Sequence, residues 1–182
     1  MITFNLNGRK VEVDCEPMDR LSDVLRGKLG LTGTKVGCNS GDCGSCSIIL
    51  NDDLCCSCLL PMGQIDDGYI TTIEGLEDGK TLSNMQQAFL DYGASQCGIC
   101  MPGMLISAEW LHKYKENPKP KDIEDVLGGV LCRCTGYKKI LESVMAVTSG
   151  EYERTKKSTC SNTAVGSRIN RLDGAPKVTG EE

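Results

Sequence analysis

The sequence predicts an α+β chain in two halves, one rich in strands and the next helical, each gathered around cysteines. Three observations predict it. Apolar residues alternate with polar ones near the start of the chain, as in half-buried strands. From Leu82 the apolar spacing changes to i, i+3, i+4, i+7, as on one face of a helix. The 12 cysteines fall mostly into two dissimilar clusters, one in each half. At 182 residues with only 4% aromatic content, the apolar core is modest. Small domains with thin cores need staples, and cysteines supply them as disulfides or as metal ligands.

In the first half, Ile2, Phe4 and Leu6 alternate, Asn7-Gly8 turns the chain, and Val11 and Val13 alternate again. This is a hairpin with a type I′ turn. Asp19 is placed to cap a helix carrying Leu21, Val24, Leu25 and Leu29. Residues 27–46 lose all periodicity and hold six glycines with Cys38, Cys43 and Cys46. Such a loop turns backbone N–H groups inward around something small and anionic. No phosphate-loop pattern is present. Ser47 to Leu50 and Leu54 to Leu60 read as strands about the turn Asn51-Asp52-Asp53, with Cys58 on the returning strand, and Tyr69 to Ile73 as a last strand. This unit spans 1–76.

The second half, 80–150, reads as four short helices forming a compact bundle. Leu82, Met85, Gln86 and Phe89 mark the first, ended by Tyr92-Gly93. Pro102 suits the first turn of the next, whose inner face is Met104, Leu105, Ala108, Leu111 and His112. Ile123, Val126 and Leu127 mark the third, and Ile140, Leu141, Val144 and Val147 the fourth. Residues 151–182 are polar and read as a linker or extended tail with little structure of its own.

Cys38-x4-Cys43-x2-Cys46 has the plant-type [2Fe–2S] spacing, which needs a fourth thiolate further on. Residues two apart on a strand share a face. Cys56 and Cys58 can therefore both face the cluster while Cys55 faces away. In the second half, Cys97-x-x-Cys100 and Cys132-x-Cys134 offer two thiolates on each of two turns. A helix start after each turn favours an anionic iron–sulfur cluster. Zinc is the competing reading at both sites. Cys15, Cys55 and Cys56 read as small buried hydrophobes and Cys160 as an exposed thiol.

The net charge of −5 argues against nucleic acid as a partner. No apolar run approaches the roughly 20 residues of a membrane span. The first residues lack the pattern of a signal peptide, so a reducing cytoplasm is expected, where clustered cysteines bind metal.

Three motifs carry a family resemblance: Gly37-Cys38-Asn39-Ser40-Gly41-Asp42-Cys43-Gly44-Ser45-Cys46, Gln96-Cys97-Gly98-Ile99-Cys100-Met101-Pro102-Gly103-Met104, and Cys132-Arg133-Cys134-Thr135-Gly136-Tyr137. Over about residues 1–150 the chain resembles the iron–sulfur subunit of the molybdenum hydroxylase (xanthine oxidase–aldehyde oxidoreductase) family. The resemblance implies a β-grasp ferredoxin-like domain followed by a four-helix bundle, with one [2Fe–2S] cluster in each. It implies Cys58 as the fourth ligand of the first cluster, beside Cys38, Cys43 and Cys46. Cys97, Cys100, Cys132 and Cys134 would hold the second. Gln96 and Cys134 match positions near the pterin of a molybdenum-binding large subunit. Electrons would run from molybdenum through the second cluster, then the first, to FAD in a further subunit or to another acceptor. The substrate would be an N-heterocycle of purine type or an aldehyde. The chain departs from the family at Gly129-Val130 and Ser83-Asn84, beside the motifs. Ala164-Val165-Gly166 and Arg171 to Gly180 resemble the opening of the molybdenum-binding part. A large subunit beginning where this chain ends, with the tail completing its fold, is the expectation. A free-standing two-cluster electron carrier and a zinc-stapled interaction module are the alternatives.

Overall fold

The computed structural model describes residues 1–76, 81–154 and 171–181. The first half is a five-stranded mixed sheet: β1 (Ile2–Leu6), β2 (Arg9–Val13), β3 (Ser47–Leu50), β4 (Asp53–Cys56) and β5 (Tyr69–Thr71), in the order β2-β1-β5-β3-β4. β1 pairs antiparallel with β2 and parallel with β5, while β3 runs antiparallel to both β4 and β5. Asn7 and Gly8 have φ of 51° and 79°, as the type I′ hairpin requires.

Helix α1 (Leu21–Asp23) runs on as a π turn (Val24–Lys28). Asp19 does not cap it: the residue at the cap position is Arg20, and the Asp19 carboxylate instead accepts the Glu16 N–H and pairs with Lys28. Leu21, Val24 and Leu25 of this segment join Phe4, Ile48 and Ile70 in one core beneath the sheet. Strand alternation sends Ile49 to the opposite face, where it joins the core of the helical half.

That half consists of α2 (Asn84–Asp91), α3 (Met101–Tyr114), α4 (Pro120–Leu127) and α5 (Tyr137–Thr148). α2 packs on α3 and α5, and α4 packs on the same two helices. Met85, Phe89, Met104, Ile123, Ile140 and Val144 fill the space between them. His112, expected on the inner face of α3, is exposed, because that face already closes with Ala108 and Leu111. At the start of α2, the Ser83 hydroxyl accepts the Gln86 N–H and the Gln86 side chain accepts the Ser83 N–H. This capping box stabilises the helix start. Ser83→Ala should lower stability by about 1 kcal/mol in urea unfolding. No measurable loss would mean the box is dispensable.

Helix α3 ties the halves together at both ends. At its start a Cβ on Gly103 would lie 2.4 Å from the Gly44 carbonyl oxygen. Near its end the Trp110 indole N–H donates to the Asp52 carbonyl at 2.7 Å, and the Tyr114 hydroxyl meets the Asp52 carboxylate.

The tail departs from expectation. Residues 174–179 form a short helix, α6 (Gly174–Thr179), packed on α2 and α3. Val178 is fully buried. Gln86 Nε2 donates to the Val178 carbonyl at 3.0 Å, and Lys35 Nζ from the first half donates to the Gly180 carbonyl at 3.3 Å. Arg171 reaches the Ser95 carbonyl at 3.2 Å. The segment is structured because a groove of this same chain takes the Val178 side chain and satisfies its backbone, which composition does not reveal. The resemblance at Ala164-Val165-Gly166 lies outside the described residues, as does Cys160. Val178→Ala should cost about 2 kcal/mol of stability in urea unfolding, the scale of a buried valine. A loss below about 0.5 kcal/mol, typical of surface positions, would show that the groove is not occupied in solution.

Candidate metal centres

The first centre lies in the glycine loop between α1 and β3. The N–H groups of Ser40 and Cys43 both point at the Cys38 sulfur from 3.4 Å. Ser40, by its side chain and its N–H, and then Cys43 pull the Cys38 thiol down to about 6. The Cys46 sulfur receives the Cys58 N–H and meets the Cys58 thiol. Burial, and then the Cys46 thiol, push Cys58 up to about 11, while the Gly41 N–H acts in the opposite direction. A Cβ on Gly37 would stand 2.9 Å from the Cys43 sulfur, so only glycine leaves that wall open.

Two expectations are corrected here. The returning strand ends at Cys56, and Cys58 lies in a 3-10 turn (Ser57–Leu59). The turn forms because Ser57 gives both its N–H and its hydroxyl to the Cys46 carbonyl, at 3.2 and 2.8 Å. Cys56, expected to be an inert hydrophobe, is half-buried among the other thiols, in hydrogen-bond contact with Cys46. Cys55 faces the core beneath the sheet, as the alternation predicts.

The second centre is made by two turns that each precede a helix. Cys100 occupies the N-cap position of α3, and Cys132 and Cys134 lead into α5. The Cys100 thiol is pushed up by burial and then by Cys132, while Cys134 is pushed up by the hydrogen bond its thiol gives to the Cys97 side chain. Each thiol of one turn therefore meets one thiol of the other. The Cys132 N–H donates to the Tyr137 hydroxyl at 2.7 Å, which fixes the second turn. Gln96 lies against Gly136, where a Cβ would stand 3.1 Å from its Nε2. Gln96, Cys97, Ile99 and Leu131 leave this edge of the centre exposed. Gly98 has φ of 99° and packs under the stem of buried Lys177.

The raised Cys100 and Cys134 thiols hold their protons until a cation replaces them, so metal binding and proton release are linked. Among the described residues no three His, Cys, Asp or Glu side chains converge as one metal ion requires. Thiolates around one tetrahedral ion at about 2.3 Å lie about 3.8 Å apart, and two irons spread four thiolates more widely. The donor sets, with backbone N–H groups aimed at sulfur, fit [2Fe–2S] clusters. The two centres are also joined directly: the Leu131 N–H, beside Cys132, donates to the Cys43 carbonyl at 2.9 Å.

Such a chain is of the iron–sulfur electron-transfer class, and comparison with known proteins agrees. A 2Fe-2S iron-sulfur cluster binding domain model matches residues 4–83, and a [2Fe-2S] binding domain model matches residues 72–145. The chain is 46% identical over 144 residues to the nicotinate dehydrogenase small FeS subunit of Eubacterium barkeri, covering 79% of this chain and 91% of that one. The structure of quinoline 2-oxidoreductase from Pseudomonas putida superposes with a TM-score of 0.79 at 38% identity, over 82% of this chain and 93% of that one. That of the aldehyde oxidoreductase from Desulfovibrio desulfuricans superposes with a TM-score of 0.88 at 34% identity, over 99% of this chain but 21% of that one. The chain belongs to the iron–sulfur subunits of the xanthine oxidase–aldehyde oxidoreductase family, the molybdenum hydroxylases. It is an electron-transfer subunit of an oxidoreductase and not itself the catalytic part. Among the described residues no helix is long and apolar enough to cross a membrane.

Proposed function

We propose that Cys38, Cys43, Cys46 and Cys58 hold one [2Fe–2S] cluster and that Cys97, Cys100, Cys132 and Cys134 hold a second. The domains run 1–76, ferredoxin-like with a β-grasp sheet, and 80–150, a four-helix bundle of α2 to α5. Electrons released at a molybdenum–pterin site in a large partner subunit cross the second cluster, then the first, and leave to FAD in another subunit or to a different acceptor. The observation that carries a path between the two centres is the Leu131–Cys43 hydrogen bond, which joins the two cysteine loops by backbone alone. The exposed edge formed by Gln96, Cys97, Ile99 and Leu131 supports docking of the pterin-bearing partner there, with Gln96 and Cys134 toward the pterin. Relatives named for nicotinate and quinoline oxidation support an N-heterocyclic substrate, and those named for aldehyde oxidation support an aldehyde. The thiol-rich composition suits a cytoplasmic setting.

Size-exclusion of native material, with molybdenum counted across the fractions, tests the assignment. This chain should elute with a much larger, molybdenum-containing partner. Elution alone, with iron but no molybdenum, would replace the proposal with a free-standing two-cluster carrier. Elution with zinc in place of iron would replace both.

A further inference from the structure

We propose that the first centre has a fifth, reserve ligand, Cys56, able to take the place of Cys58 on the cluster. The inference rests on the cluster assignment above and extends it. Cys56 closes β4, opposite Ser47 in the register, and its thiol is in hydrogen-bond contact with the Cys46 side chain. Its sulfur is 3.8 Å from the Gly41 carbonyl oxygen, while the Cys58 sulfur receives the N–H of the same glycine. Both thiols also contact Cys46. Cys56 and Cys58 thus flank the same two groups, Gly41 and Cys46, from neighbouring positions along the chain. Cys38 and Cys43 lie near enough to act on the charge of Cys56 as well. No such neighbour exists among the cysteines of the second centre: Cys97, Cys100, Cys132 and Cys134 are the only ones in that half among the described residues.

The exchange is a ligand substitution at iron with no change of oxidation state. The Cys58 sulfur–iron bond breaks and the Cys56 sulfur–iron bond forms. The proton that Cys56 gives up is the proton that Cys58 takes. The 3-10 turn that carries Cys58 follows directly on Cys56, so the exchange needs only a local shift of the Ser57–Leu59 turn.

The test uses the full chain in its native complex and the variants Cys56→Ala, Cys58→Ala and the double variant. Iron and labile sulfide are counted, and the reduced clusters are read by electron paramagnetic resonance. Wild type and Cys56→Ala should each hold four irons per chain. Cys58→Ala should also hold four, with the first-centre signal shifted and the second unchanged. The double variant should hold two, because only the second cluster remains. Two irons in Cys58→Ala with the second signal intact would overturn the reserve ligand and leave the cluster assignment standing. No iron in wild type would instead sink the assignment itself. Should Cys58→Ala lose both signals by misfolding, Cys58→Ser decides. A visible spectrum keeping four-thiolate sulfur-to-iron bands supports Cys56 ligation, and a blue-shifted, oxygen-ligated spectrum or a loss of two irons overturns it.

Discussion

Replacing Cys132 with alanine will halve the iron of this chain, from four per chain to two, and abolish turnover of the complex. Cys132 is buried, sits against Cys100, and supplies half of what its turn offers the second centre. Neither the 97–100 turn nor the 132–134 turn can fix a cluster alone, so the staple between α3 and α5 goes with it. The first centre draws its ligands from a separate loop and should keep its cluster and its spectrum. Electrons arriving from the partner would then face an empty second centre. Iron analysis and electron paramagnetic resonance of the reduced variant check this. Disappearance of both signals together would contradict two independent centres.

Gly44→Ala should destabilise the chain by about 2–5 kcal/mol and slow reduction of the first cluster. Gly44 has φ of 66°, where an L side chain costs about 1–2 kcal/mol. An added Cβ would stand 2.1 Å from the Gly129 carbonyl oxygen, which is backbone and cannot rotate aside. Overpacking of this kind adds about 1–3 kcal/mol. The same push separates Gly44 from Gly103 and Gly129-Val130, and so stretches the Leu131–Cys43 hydrogen bond between the centres. Urea unfolding gives the stability, and rapid mixing with a reducing substrate gives the rate at the first cluster. Wild-type stability with an unchanged rate would mean that this contact neither holds the halves together nor serves the electron path.

The sequence was most informative where chemistry is set by local spacing. The Asn7-Gly8 hairpin follows from positive φ at two consecutive residues, and the thiol groups follow from C-x4-C-x2-C, C-x-x-C and C-x-C. The capping box at Ser83 and Gln86 is also written locally, as Ser-x-x-Gln. What escaped was decided by distant partners. Asp19 has the chemistry of a helix cap, yet Glu16 and Lys28 compete for its carboxylate. Cys58 leaves the strand because Ser57 finds the Cys46 carbonyl, and alternation alone cannot foresee that bond. The docking of Val178 depends on a groove that exists only once both halves have met. The Leu131–Cys43 bond likewise joins residues far apart in sequence.

The central claim is that this chain carries two different [2Fe–2S] clusters in series. A potentiometric titration of the native complex followed by electron paramagnetic resonance, with iron and molybdenum counted on the same sample, tests it most directly. The account predicts two distinct reduced-cluster signals of equal intensity, each integrating to one spin per chain, with four irons per chain and molybdenum present. A single signal with two irons, or a colourless protein holding zinc, would contradict it.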